Sequence, residues 1–312
     1  MATDVGLTAR AEFGDTMNIL VTGANGQLGT ELRNVTAGSR NNYIFSDVTS
    51  LPGVETLNLD ITNIDAVRIV CDSEKVDVIV NCAAYTNVDK AEDEPSMAML
   101  LNCTAAGNLA KVAAERDAAL IHISTDYIFH GDIPMPCKED WPTDPLGVYG
   151  STKLAGEKEI ERSGCRSVIL RTAWLYSPYG KNFVKTMLRL AEDHDELRVV
   201  CDQIGTPTYA GDLAEAIYQI VKHDSWLPGI YHFTDEGVAS WYDFSVAIFR
   251  EAGKKVKVNP VPTSEYPTPA KRPLYSVLSK QKIKSKFGIE IPYWLDSLKK
   301  CIAILETENK EA

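Results

Sequence analysis

The chain has 312 residues, 45% of them hydrophobic and 24% charged, with a net charge of −11, the make-up of a globular protein with room for a sizeable core. That acidity argues against a nucleic-acid surface, and no apolar run approaches the roughly 18–20 residues that cross a bilayer, so neither nucleic acid nor membrane is an expected partner. The seven cysteines, at 71, 82, 103, 137, 165, 201 and 301, form no CxxC pair, which argues against a zinc centre or a disulfide framework and for a reducing cytoplasm.

Residues 1–16 have no apolar h-region and read as a loosely ordered extension, not a secretory signal. Met17–Thr22 is a short buried-type strand, followed at once by Gly23-Ala-Asn25-Gly26-Gln27-Leu28-Gly29 and a helical pattern through Leu32 and Val35. Strand, glycine turn, helix is the setting in which such a motif cradles a dinucleotide pyrophosphate on free helix N–H groups. A second strand, Tyr43–Ser46, ends at Asp47, near the expected distance for an acid that binds the adenosine ribose. No basic residue follows directly, which favours NADH over NADPH, although Arg33 offers a compensating charge. A third strand at Leu57 leads to Asp60 and Ile61, which could flank an adenine.

A helix over 65–71 precedes the apolar strand Val76–Cys82, which ends in Ala83, Ala84 and Tyr85, small enough at first for backbone to lie against a cofactor. A helix over about 98–116 follows. The strand Ala119–Asp126 carries Ser124, Thr125 and Asp126 at its carboxyl end, the edge where open α/β sheets hold ligands. Either hydroxyl could bond a substrate oxygen. After a loop with Pro134, Pro136, Pro142 and Pro145, a helix from Ser151 to about Ser163 would set Tyr149 and Lys153 side by side if it also covers the tyrosine. An ammonium beside a phenol lowers its pKa from about 10 and fits it to pass a proton to an alkoxide. A strand follows at Ser167–Thr172.

Up to Thr172 the alternation predicts an α/β fold, a Rossmann-like doubly wound parallel sheet. From Trp174 onward the pattern is irregular: helices over 182–191, 213–221, 241–252 and 293–305, strands over 229–233 and 256–261, a strand running from Val199 into a polar loop to Thr208, and a proline-rich loop ending in Lys271-Arg272-Pro273.

The phrases VTGANGQLG (21–29) and YGSTKLAGE (149–157) resemble the extended short-chain dehydrogenase/reductases. RTAWLYS (171–177), NFVKTML (182–188), DQIGTPT (202–208) and PAKRPLYSVL (269–278) are narrower. They resemble the branch that reduces the C4 ketone of dTDP-linked 4-keto-6-deoxy sugars for surface polysaccharide synthesis. The resemblance implies a dinucleotide-binding domain over 17–172, joined by about 205–233, and a smaller, interleaved C-terminal substrate-binding domain over 173–312. It implies NADH or NADPH at Gly23, Asn25, Gly26, Gln27, Leu28, Gly29, Asp47, Asp60, Ile61, Ala83, Ala84, Tyr85, Tyr149 and Lys153. The implied catalytic triad is Thr125, Tyr149 and Lys153. The implied sugar-nucleotide contacts are Ser124, Thr125, Asp126, Tyr149, Trp174, Asn182, Gln203, Thr206 and Arg272, with Arg272 on the pyrophosphate. Some members bind Mg²⁺ at a dimer contact; no ligand for it can be assigned here, and a monomer or homodimer fits equally. The same resemblance extends to nucleotide-sugar epimerases and dehydratases, and to a non-catalytic subunit of methionine adenosyltransferase.

Overall fold

The computed structural model describes residues 16–311; apart from Thr16, the expected N-terminal extension lies outside them. Seven parallel strands form the central sheet: β1 (Asn18–Thr22), β2 (Asn42–Asp47), β3 (Leu57–Asn58), β4 (Val78–Asn81), β5 (Ala119–Thr125), β6 (Arg166–Thr172) and β7 (Gly229–His232). Their spatial order is β7-β6-β5-β4-β1-β2-β3, with every pair parallel. The doubly wound sheet expected from the alternation is therefore present. The order reverses between β1 and β4, and a crevice opens there above the strands' carboxyl ends.

The two-residue period of a strand sorts its side chains into two cores. Ile19 and Val21 enter one core with Leu28, Leu32, Leu213 and Ile217, while Leu20 enters the other with Ile79, Val67, Leu109 and Ile160. The first core is covered by helices α1 (Gln27–Val35) and α5 (Ala210–Lys222); the second by α2 (Ile64–Ser73), α3 (Ala105–Glu115) and α4 (Val148–Ser163). Covered on both faces, the inner strands read as unbroken apolar runs.

The helix expected over 98–116 is interrupted. A short helix, Pro95–Met99, passes through a π-turn at Leu100–Thr104 before α3 begins. The extra residue turns Asn102 inward, where its side chain accepts from Tyr85 N–H (2.8 Å) and donates to Tyr85 O (3.1 Å) and Thr152 Oγ1 (3.1 Å). Two short helices, Val88–Asp93 and Gln281–Phe287, have too few turns to show an apolar period and were not foreseen.

A third core, around Tyr176, Val184, Met187, Phe244, Ile248, Trp294 and Leu298, lies among helices Phe183–Asp193, Trp241–Glu251 and Trp294–Glu311. The strand expected to run from Val199 into a polar loop begins earlier, as Glu196–Val200 paired in parallel with Lys257–Val261, and the loop that follows to Thr208 holds two-residue strands at Ile204–Gly205 and Thr208–Tyr209. No helix among the described residues is long and apolar enough to cross a membrane.

Candidate active site

A cleft of about 700 Å³ runs along the carboxyl edge of the sheet. Gly23, Gly26, Gln27, Leu28, Gly29, Asp47, Asp60 and Ile61 line one end, Ala83 and Ala84 the middle, and Ser124, Thr125, Asp126, Tyr149, Lys153 and Trp174 the other. Gly23 has φ +66°, and a Cβ on it would lie 2.6 Å from Ala83 N, so only glycine lets the turn pass against the end of β4. Gly26 caps α1 without any side-chain hydrogen bond. The positive end of the helix is thus left bare toward the cleft, the electrostatics a pyrophosphate requires.

At the ribose corner Asp47 accepts from Asn25 N–H (3.1 Å) and from Thr49 N–H (2.9 Å). Arg33 stacks 4.2 Å over the Phe45 ring and donates to Thr56 Oγ1 (3.0 Å). A carboxylate and a guanidinium thus sit at one corner. Asn25 braces Asp47 from outside the cleft wall. Tyr85 is also off the wall: its hydroxyl donates to Glu94 (2.8 Å).

At the other end, α4 begins three residues earlier than expected, at Val148, whose N–H donates to Glu92 Oε1 (2.8 Å). The helix therefore covers Tyr149, and Tyr149 and Lys153 share the face that lines the cleft. The two candidate hydroxyls of β5 differ. Ser124 donates to Glu157 Oε1 at 2.5 Å, and Glu157 is held by Arg171 through two bonds of 3.0 and 2.7 Å. Thr125, the last residue of the strand, hydrogen-bonds with Tyr149 and donates to Asp126 Oδ1 (3.1 Å).

The expected depression of the phenol is not found. Burial, with the Asp126 carboxyl adding to it, pushes Tyr149 up to about 12. Lys153 is itself desolvated: burial brings it down to about 8, so it is still protonated at neutral pH, and Nζ donates to Ile123 O at 2.5 Å; its ammonium does not offset the burial of the phenol. Tyr149 is accordingly a fully protonated acid at neutral pH. Burial also lifts Asp126 to about 6, and its Oδ2 has no hydrogen-bond partner among the described residues.

Of the residues expected on the sugar nucleotide, Trp174 faces the cleft and four do not line it. Asn182 caps helix Phe183–Asp193, accepting from Lys185 N–H (3.1 Å), and donates to Ser177 O (2.6 Å). Gln203 donates to Thr263 Oγ1 (3.1 Å), and Thr206 to Gly237 O (3.0 Å). Arg272 grips Asp89 through two bonds of 3.0 and 2.7 Å. Trp174 has φ +47°, a left-handed backbone rarely held by a bulky residue. Its ring lies over Gly205, where a Cβ would come within 2.7 Å of it, and stacks on Trp241 at 3.6 Å and 11°.

Trp241, Phe183 and Lys181 line the cleft but were not foreseen. In the sequence Trp241 reads only as the first residue of a helix, behind the Ser240–Asp243 capping box that the structure contains. Among the described residues, no group of three or more His, Cys, Asp or Glu is arranged to hold a metal ion.

The family model described as the RmlD substrate binding domain matches residues 17–307. The dTDP-4-dehydrorhamnose reductase of Aggregatibacter actinomycetemcomitans is 44% identical over 298 residues, covering 92% of this chain and 99% of that one. The chain belongs to the dTDP-4-dehydrorhamnose reductase family. Among family members of known structure, the Clostridium acetobutylicum protein superposes with a TM-score of 0.87 at 43% identity, covering 93% of this chain and 100% of the other. The Bacillus anthracis protein, solved in complex with NADP, superposes at 0.85 with 37% identity, covering 93% and 99%. The family pattern begins one residue before β1 and spans the three cores described above.

Proposed function

We propose that this protein reduces the C4 ketone of dTDP-4-dehydro-6-deoxy-L-mannose to give dTDP-L-rhamnose, a precursor of surface polysaccharide, with NADH or NADPH as reductant. The observation that carries the reading is one continuous cleft joining a bare helix end behind a glycine turn to Thr125, Tyr149 and Lys153. A reduced nicotinamide dinucleotide supplies the hydride when bound. Gly23, Gly26 and Gly29 admit its phosphates, Asp47 its adenosine ribose, and Asp60 and Ile61 its adenine. Thr125 orients the ketone oxygen, and Tyr149 gives its phenolic proton to that oxygen as charge develops. Lys153 holds the nicotinamide ribose. The sequence favours NADH; Arg33, beside Asp47, supports NADPH as well, and the NADP complex of the Bacillus anthracis relative agrees with that.

Residues 17–172 with about 205–233 hold the dinucleotide in this reading, and the remainder of 173–312 holds the sugar nucleotide, with Arg272 on its diphosphate. The enzyme acts in the cytoplasm as a monomer or homodimer, in keeping with seven cysteines that form no disulfide among the described residues. The test is consumption of NADPH or NADH by purified protein given dTDP-linked or UDP-linked 4-keto sugars. Stoichiometric loss of cofactor absorbance with the dTDP-linked ketone is the expected result. Turnover of the sugar without net cofactor loss would mark an epimerase or dehydratase, and no turnover with any sugar would leave only a binding role.

A further inference from the structure

Behind Lys153, away from the cleft, lies a buried polar chain that the proposed reaction does not use. Asn81 ends β4 and His122 lies beside it on β5; both are about 1% exposed. Asn81 Oδ1 accepts from Ala83 N–H (3.1 Å) and from the Thr22 hydroxyl (2.7 Å). A backbone N–H can only donate, so the atom facing it must be the amide oxygen, and the orientation of Asn81 is fixed. Its other end, a donor only, lies 2.9 Å from His122 Nδ1. Nδ1 must therefore accept, and a neutral imidazole then carries its proton on Nε2. That Nε2 lies 3.4 Å from Lys153 Nζ. An N–H aimed at an amine is satisfied by a lone pair and opposed by an ammonium.

We infer that Asn81 and His122 form a tautomer lock that favours the amine form of Lys153, making His122 a positioning residue that sets the pH range of the enzyme. The inference rests on the reductase reading for its kinetic consequence. Every charged or titratable group packed against Lys153 bears on it. From α4 come Tyr149, one turn before it, and Glu157, one turn after, whose charge favours the ammonium but is neutralised by Arg171 of β6. At the end of β4 stands Cys82, whose thiol burial pushes up to about 12 and keeps protonated. From β5 come His122 and the Ile123 carbonyl. Burial and the neighbouring lysine hold His122 well below the usual imidazole range, so it stays neutral.

Two measurements test the lock. Long-range proton–nitrogen spectra of histidine-labelled, cofactor-loaded protein should show His122 with a bare Nδ1 and a proton on Nε2, unchanged between about pH 5 and 9. A proton on Nδ1, or titration within that range, overturns the inference. Asn81→Asp replaces the donor by an isosteric acceptor, so the imidazole should reverse and offer Lys153 a lone pair. Loss of the Lys153 ammonium, brought down to about 8 by burial, should give kcat/KM an alkaline limb near that pH in the parent, and in this variant the limb should move up by about one pH unit. Thr22→Val removes one bond to Oδ1 but leaves Ala83 N–H to orient the amide, so it should lower stability without moving the limb. An unmoved limb in folded Asn81→Asp, or equal shifts in both variants, also overturns the inference. The spectra need no substrate. A reversed tautomer in an active enzyme sinks the lock alone, whereas absent NADPH consumption sinks the reductase reading alone.

Discussion

The two ends of the cleft are built on opposite plans. The dinucleotide end is pre-formed: its turn is held against β4 by a glycine no other residue can replace, and the end of α1 carries no side-chain cap. The sugar end is closed on itself. Arg272 is bound to Asp89, Gln203 to Thr263, Thr206 to Gly237, and Trp174 is stacked on Trp241. A cofactor can enter the first end without exchanging partners. On the reading proposed above, a sugar nucleotide would displace contacts already made, so its binding would gain only the difference between new and old bonds.

Substitutions at the two ends should separate in their kinetic effects. Tyr149→Phe stands at the boundary and should show the largest loss, on the order of 10²–10⁴ in kcat, the range for a removed general acid. Cofactor affinity, read by titration of NADPH fluorescence, should stay within about twofold of the parent, since the phenolic hydroxyl is used by the ketone oxygen. Wild-type turnover in that variant would refute the assigned acid.

Gly23→Ala should come next. Its methyl would meet the Ala83 backbone at a strained φ, a cost of about 1–3 kcal/mol that falls on the pre-formed end. A rise in cofactor Kd of roughly tenfold or more, with a lower melting temperature, is expected. Unchanged cofactor binding would mean that the glycine turn is not the phosphate cradle.

Arg272→Ala tests the self-closed end and should show the smallest effect. A charge-assisted bond is worth about 1.5–3 kcal/mol, but Arg272 gives up Asp89 to make it. The net change should be near tenfold in KM for the sugar nucleotide, with cofactor Kd unaltered. A KM that does not move would assign the diphosphate to another cation, such as Lys181, which lines the cleft.

Legibility in the sequence followed the same division. The glycine turn, Asp47 and the Tyr149–Lys153 spacing were readable because each depends on local backbone and on a fixed helical or strand period. The partners of Arg272, Gln203 and Thr206 were not, since each contact joins residues 31 to 183 positions apart. Trp241 was passed over for the same reason: only packing against Trp174 brings it to the cleft. The pKa of Tyr149 was expected in the wrong direction because spacing reports that an ammonium is near, and says nothing of how deeply both groups are buried.

What could be read from the chain alone was the alternation of the main strands and helices up to Thr172, the parallel sheet and the positions of the glycine turn and the Tyr–Lys pair. These follow from periodicity, glycine geometry and the burial of apolar strands on both faces. Tertiary structure alone decided which hydroxyl of β5 is committed to Glu157, which basic side chain is already paired, and which proton His122 carries. Those outcomes depend on which donors and acceptors meet once water is excluded, and no local pattern in a chain encodes that.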